Sequence, residues 1–185
     1  MKKVKFDNYY IISGGPGSGK SALIAALAER GFKTMPEAGR SIIQAQRLIG
    51  GRALPWDDRT AFAELMLQWE LRSYREAQNH AGPVFFDRGV PDVIGYLRLV
   101  GLKVPEHLKQ AAFLFRYHPR VFLAPPWREI FHADDERRQS WAEAVATYGS
   151  MLGVYTEFGY KIVTLPLISI EERTDFILKT LAEID

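Results

Sequence analysis

Short apolar runs alternate along the chain with stretches whose apolar residues recur at helical spacing. Residues 9–13 (Tyr-Tyr-Ile-Ile-Ser) read as a buried strand, and residues 21–30 as a helix carrying Leu23, Ile24 and Leu27 on one side, with Gly31 where a helix cap belongs. A second strand is predicted over 33–36 and a helix over 38–49. Residues 57–79 predict a long helix with Asp57 as N-cap and Phe62, Leu65, Met66 and Trp69 as its apolar face, broken by Gly82-Pro83. A strand over 84–86 ends at Asp87, and a helix starts near Pro91, which suits the first helical position. Residues 105–117 read as helix, 121–124 as strand, 141–158 as helix and 161–165 as strand. Ser169 and Glu172 have capping-box spacing for a last helix. Residues 125–140 stand apart: they open on Pro125-Pro126, carry many charges and lack apolar periodicity, which predicts an exposed excursion beside a site.

Five short apolar strands alternating with helices predict an α/β fold with a mostly parallel sheet covered on both faces. Such sheets bind ligands at the carboxyl ends of their strands, so the loops after Ser13, Pro36, Phe86 and Ala124 are where chemistry is expected. A length of 185 residues fits one domain. With 24 Lys plus Arg against 22 Asp plus Glu, the charge is too balanced for a protein that binds nucleic-acid backbones. The absence of cysteine excludes disulfides, thiolate metal sites and cysteine nucleophiles, and is compatible with the cytoplasm. The longest uncharged run is broken by glycines and too short for a membrane span. It ends in a glycine loop and not at a cleavage site, so no signal peptide is expected despite the basic Met1-Lys2-Lys3 start.

Gly14-Gly15-Pro16-Gly17-Ser18-Gly19-Lys20-Ser21 matches G-x-x-x-x-G-K-[ST] between a predicted strand and a predicted helix. Its glycines let successive N–H groups point inward at phosphate oxygens, and the helix behind adds its positive end. Lys20 is then a mobile charge for the β- and γ-phosphates and Ser21 a hydroxyl ligand for Mg²⁺, so ATP (or GTP) with Mg²⁺ is the expected ligand.

Asp87, at the end of a buried strand, suits a Mg²⁺-bound water, and the planar guanidinium of Arg88 suits a phosphate or carboxylate on a second ligand. The blander alternative makes Asp87 a helix cap and Arg88 a surface side chain. Glu37 is placed to take a proton from an attacking hydroxyl, with Arg40 one turn along to bind the same acceptor; alternatively Glu37 only favours a helix dipole. Arg128, Arg137 and Arg138 lie in the polar excursion and together suit the charge of a migrating phosphoryl group, although any one of them alone reads better as part of a solvated helix start in which residues 134–136 pair with Arg137 and Arg138. Trp56, Phe62, Trp69 and Tyr96 are aromatics at helical spacing, more core-like than ligand-like. His80, His107, His118 and His132 lack metal-ligand spacing.

The glycine loop together with Pro36-Glu37-Ala38-Gly39-Arg40, Phe86-Asp87-Arg88-Gly89-Val90-Pro91-Asp92, and Pro125-Pro126-Trp127-Arg128 with Glu136-Arg137-Arg138 resembles a family of small bacterial P-loop proteins described as ATPases or kinases, related to the kinase domain of the bifunctional nicotinamide-riboside protein. The resemblance runs essentially end to end. It implies a P-loop NTPase fold of the nucleoside- and nucleotide-kinase type with a five-stranded parallel sheet, in a single domain over 1–185 with a lid over 126–140. It further implies Glu37 as base or Mg²⁺ partner, Asp87-Arg88 as the pair that binds Mg²⁺ and acceptor, and a lid arginine on the transferred phosphate. The Asp-Glu pair of ring-forming motors is missing, as is the His-x-x-His signature of nucleotidyl transfer. The expectation is a kinase acting on a small, nucleoside-like acceptor, as a monomer or homodimer with no nucleic-acid or membrane partner. A nucleotide-dependent binding module and an NTPase that uses water remain the alternatives.

Overall fold

The computed structural model describes residues 4–5, 7–131 and 140–183. Its frame is a five-stranded, wholly parallel sheet built from β2 (Tyr9–Gly14), β3 (Lys33–Met35), β4 (Val84–Asp87), β6 (Arg120–Ala124) and β7 (Lys161–Thr164), in the order β3-β4-β2-β6-β7. Two further strands, β1 (Val4–Lys5) and β5 (Phe115–Arg116), pair in parallel as a separate ribbon. The helices are α1 (Lys20–Glu29), α2 (Ala38–Ile49), α3 (Arg59–Glu76), α4 (Val90–Leu99), α5 (Glu106–Leu114), α6 (Trp141–Glu157) and α7 (Ile170–Ala182). Among the described residues, no helix is long and apolar enough to cross a membrane.

Alternation along β2 distributes its side chains to two cores, as the twofold period of a strand requires. Tyr9 and Ile11 face one cluster with Phe86, Leu67, Tyr74, Ile94 and Tyr155, under α3 to α6. Tyr10 and Ile12 face the other with Leu23, Leu27, Phe85, Phe122 and Ile177, under α1 and α7. A smaller cluster of Ile42, Ile43, Leu54 and Phe62 joins α2 to α3.

Register brings the chemistry-bearing ends together. Ile12 lies beside Asp87 and Gly14 beside Ala124, so β2, β4 and β6 finish at one edge of the sheet. The N–H of Arg88 still donates to the carbonyl of Ile12 (3.0 Å), which carries the β4 pairing one residue past the strand. α1 ends as expected at Gly31, in a Schellman arrangement: Phe32 N–H donates to Leu27 O and Gly31 N–H to Ala28 O.

Several expectations are corrected. Asp58, and not Asp57, caps α3, its carboxylate accepting from Ala61 N–H (2.9 Å); Asp57 is held instead by Arg52. Leu65 faces outward, because the buried stripe of α3 is Phe62, Ala63, Leu67, Glu70, Ser73 and Tyr74. α3 stops at Glu76 and a 3-10 turn takes up Ala77–Asn79. Pro91 is the second residue of α4, which begins at Val90 behind the N-cap Gly89. The predicted helix over 105–117 ends at Leu114, since Phe115 and Arg116 pair with Val4 and Lys5.

Candidate active site

The loop between β2 and α1 is shaped by close approaches. Gly14 has φ 141°, and a Cβ there would stand 2.4 Å from the carbonyl oxygen of Ala124 on β6. Gly17 has φ 66°, and its missing Cβ leaves room for the ring of Phe131, which would otherwise be 2.5 Å away. Ser18 Oγ and Lys20 Nζ both donate to the carbonyl of Gly15, at 2.8 and 2.9 Å. Lys20 is only 7% exposed. Burial pushes its pKa down to about 8, helped by Arg88 and resisted by Asp87, Glu37 and Asp92. Ser21, one residue on, is exposed.

Asp87 closes β4 beside this loop, 5% exposed, and its Oδ1 is buried with no hydrogen-bond partner. Burial raises its pKa, Lys20 lowers it and Glu37 raises it again. It does not cap α4: that is done by Asp92, whose Oδ2 accepts from Gly89 N–H at 3.0 Å. Asp92 also accepts from Ser13 Oγ (2.5 Å), from Tyr155 OH and from Arg88 Nη1 (3.2 Å). Arg88 spans the site, its Nε donating to Glu37 Oε1 at 3.3 Å. Burial opposes its charge, yet Glu37, Asp92 and Asp87 hold it above the usual arginine range. Among the described residues it alone, glycines aside, has positive φ, 76°. Glu37 is the N-cap residue of α2, but its side chain makes no capping hydrogen bond and turns to Arg88.

Glu37 and Arg88 are paired, and the charges of Glu37, Asp87 and Arg88 all act on Lys20, so the four form one electrostatically linked cluster. Arg40 is exposed in the first turn of α2. Arg128 is exposed and stacked 5.0 Å above Trp141 at the start of α6. Arg137 and Arg138 lie outside the described residues, as does His132.

A family model described as AAA domain matches residues 9–173. The chain belongs to that family. Among curated proteins, none matches this AAA domain by sequence. Solved structures resemble it in fold. Deoxyadenosine kinase from M. mycoides with bound dATP aligns at a TM-score of 0.62 and 12% identity, over 94% of this chain and 98% of that one. NadR in complex with NR aligns at 0.69 and 20% identity, over 96% of this chain but only 51% of NadR, so the AAA domain spans about half of that protein. Thymidylate kinase from Candida albicans aligns at 0.65 and 14% identity, over 95% and 91%. The fold is that of P-loop nucleoside and nucleotide kinases, as the resemblance implied.

Two residues of this AAA domain's site escape a reading of the sequence. Asp92 sits within the motif over residues 86–92, but nothing in the motif shows that it joins Ser13 and Tyr155 from two other segments as well as the nearby Arg88. Arg173 on α7 is fully buried, donating to Ser18 O (2.8 Å) and Pro166 O (2.7 Å) with its guanidinium 4.7 Å from the Trp127 ring. Its burial lowers its pKa. A signal was present: Arg173 lies four residues before the buried Ile177, on the face of α7 turned to the core.

Proposed function

We propose that this AAA domain is a phosphotransferase that moves the γ-phosphoryl group of ATP to a hydroxyl of a small, nucleoside-like acceptor. One observation carries the reading: beside the loop of residues 14–21 stands a network, Glu37–Arg88–Asp92, that the loop itself has no use for. An NTPase that activates only water has little need of a part-buried guanidinium held between two carboxylates on a strained backbone. The low-identity kinases of like fold are consistent with it; M. mycoides deoxyadenosine kinase binds dATP and NadR binds NR.

In this reading the loop's N–H groups and Lys20 hold the β- and γ-phosphates. Mg²⁺ fits the residues present, because Asp87 Oδ1 is a buried carboxylate oxygen in want of a partner and Ser21 offers an exposed hydroxyl. Among the described residues no three His, Asp or Glu side chains gather to hold a metal by themselves, so the ion would share its coordination with phosphate and water. Bound there, it would neutralise charge on the β- and γ-oxygens. Arg88 orients the acceptor, and Glu37 accepts the proton of its hydroxyl. The acceptor oxygen forms a bond to phosphorus as the bond from phosphorus to the β,γ-bridging oxygen breaks, and ADP leaves with that electron pair. Most of the rate comes from positioning and charge.

We place the chain in one domain over 1–185 and assign residues 126–140 as a lid, with Phe131 resting against Gly17 and Arg128 anchored on Trp141. Arg128, Arg137 or Arg138 then meets the transferring phosphoryl group, and Arg40 the acceptor.

The test is a mass-spectrometric screen of the protein with Mg²⁺-ATP and a panel of nucleosides, nucleotides and nicotinamide riboside, with Lys20→Ala as control. A product heavier by one phosphoryl group, lost by at least about 100-fold in a folded Lys20→Ala variant, is expected. ADP without such a product would favour the water-using NTPase, and bound nucleotide without turnover a binding module.

A further inference from the structure

α3 carries a buried group that the mechanism above leaves unused. α3 buries a stripe of Ala63, Leu67, Glu70 and Tyr74, at the spacing of a helix packed on a core. Three of the four belong to the main apolar cluster. The fourth is Glu70, 4% exposed, with no hydrogen-bond or ion-pair partner among the described residues. A lone carboxyl group at a core position is costly, and such groups are ordinarily paired.

The residue before Glu70, Trp69, donates from Nε1 to Pro36 O (3.2 Å), which sets this turn of α3 beside the end of β3 and Glu37. Burial pushes the pKa of Glu70 well up, and the charges acting on it are Asp92, Asp87, Arg88 and Glu37. The Tyr117 hydroxyl, itself donating nothing but accepting from Val90 N–H, lies within its influence. Arg88 is engaged by Glu37 and Asp92, and Asp92 is saturated by four donors.

We propose that Glu70 is a specificity-determining residue of the acceptor pocket, which selects acceptors that bring a nitrogen-borne hydrogen-bond donor or positive charge to meet it. This rests on the reading of the cleft as an acceptor site. The chemistry follows from the charges that act on Glu70: Asp92, Asp87 and Glu37 outnumber the one arginine, Arg88, so a carbonyl or phosphate oxygen would add lone pairs to an acid-rich surrounding, whereas an amine, amide or ring cation supplies donors. A site built to bond such a group rejects the analogue without it, because the buried carboxyl then stays unpaired.

The test compares the wild-type chain with Glu70→Gln and Glu70→Asp on two matched pairs. Adenosine against purine riboside differs by one exocyclic amine, and nicotinamide riboside against its dihydro form differs by one ring charge. Phosphorylation kinetics are read with Mg²⁺-ATP, and direct binding with Mg²⁺ and AMP-PNP. We expect the wild type to favour the amine-bearing or charged member of at least one pair by about tenfold or more, through KM with kcat changed less than about threefold. Which pair discriminates tells donor from cation. Glu70→Gln should erase the preference and melt higher than wild type, since it removes a buried unpaired acid; Glu70→Asp should keep the sign of the preference. Discrimination that survives in Glu70→Gln, or is absent from the wild type, overturns the assignment. So does a Glu70→Gln variant that melts lower and loses all four probes alike. Discrimination in binding with no phosphorylated product would leave Glu70 standing and sink the kinase reading; product without discrimination would do the reverse.

Discussion

Arg88 concentrates the cost of building this site into one position. Its φ of 76° lies in the left-handed region, where a side chain other than glycine is strained by roughly 1 kcal/mol or more. The guanidinium it delivers to Glu37 and Asp92 is what offsets that strain. Arg88→Ala and Arg88→Gly both remove the guanidinium, so both should abolish transfer. The glycine variant should nevertheless be the more stable of the two by about 1 kcal/mol, as chemical denaturation would read. An alanine variant as stable as the glycine one would show that the backbone there is unstrained. Lys20 offers a pH test. With its pKa near 8 in the empty site, it is charged below that pH and neutral above it. Phosphate oxygens favour the ammonium, so ATP affinity should fall as pH rises past 8, and binding at pH 9 should take up a proton. Calorimetry in two buffers of different ionisation heat would detect it; equal heats would refute it.

The elements follow local rules where local rules suffice. Ser169 and Glu172 form the capping box that their spacing predicted, with Glu172 N–H donating to Ser169 Oγ at 3.3 Å. Ser140 and Glu143 form another at the start of α6. α7 does more than cover the sheet, because Arg173 ties it to Ser18 inside the loop and to Pro166 behind it. Arg173→Ala should therefore destabilise the fold by about 2 kcal/mol, leaving one buried and one part-buried carbonyl short of a donor, and should weaken nucleotide binding as well. Arg173→Met, which restores bulk but no donor, should recover little of the affinity. If both variants bound ATP like wild type, the contact would serve only to dock α7. The end of α5 shows where local rules stop. Phe115 and Arg116 continue an acceptable helical pattern, yet they pair with Val4 and Lys5, more than a hundred residues away in the chain.

Across the molecule, topology gathers what sequence scatters. The order β3-β4-β2-β6-β7 places β4 and β6 on either side of β2, so that the loop of residues 14–21 is flanked by Asp87 on one side and Ala124 on the other. Parallel strands all point their carboxyl ends one way, so every βα loop opens on the same edge. Glu37 and Arg88 meet there across 51 positions, and Ser13 and Asp92 across 79. The rule that strands end at a binding edge was enough to nominate Glu37, Asp87 and Arg88, because each directly follows or closes an apolar run.

Asp92 and Glu70 could not be nominated that way. Both lie inside helices, and what marks them is the company of other segments: two for Asp92, and for Glu70 a buried face on which none of the described residues bonds it. The alternation of strands and helices, the glycine loop and the acids at strand ends are written in local order, since backbone propensity, glycine dihedrals and helix caps act over a few residues. Which carboxylate is paired, which cation is spent and which buried group is left unpaired depend on contacts between elements far apart in the chain. Those contacts exist only once the sheet has set its order and register, and with them the burial that decides the charge of each group.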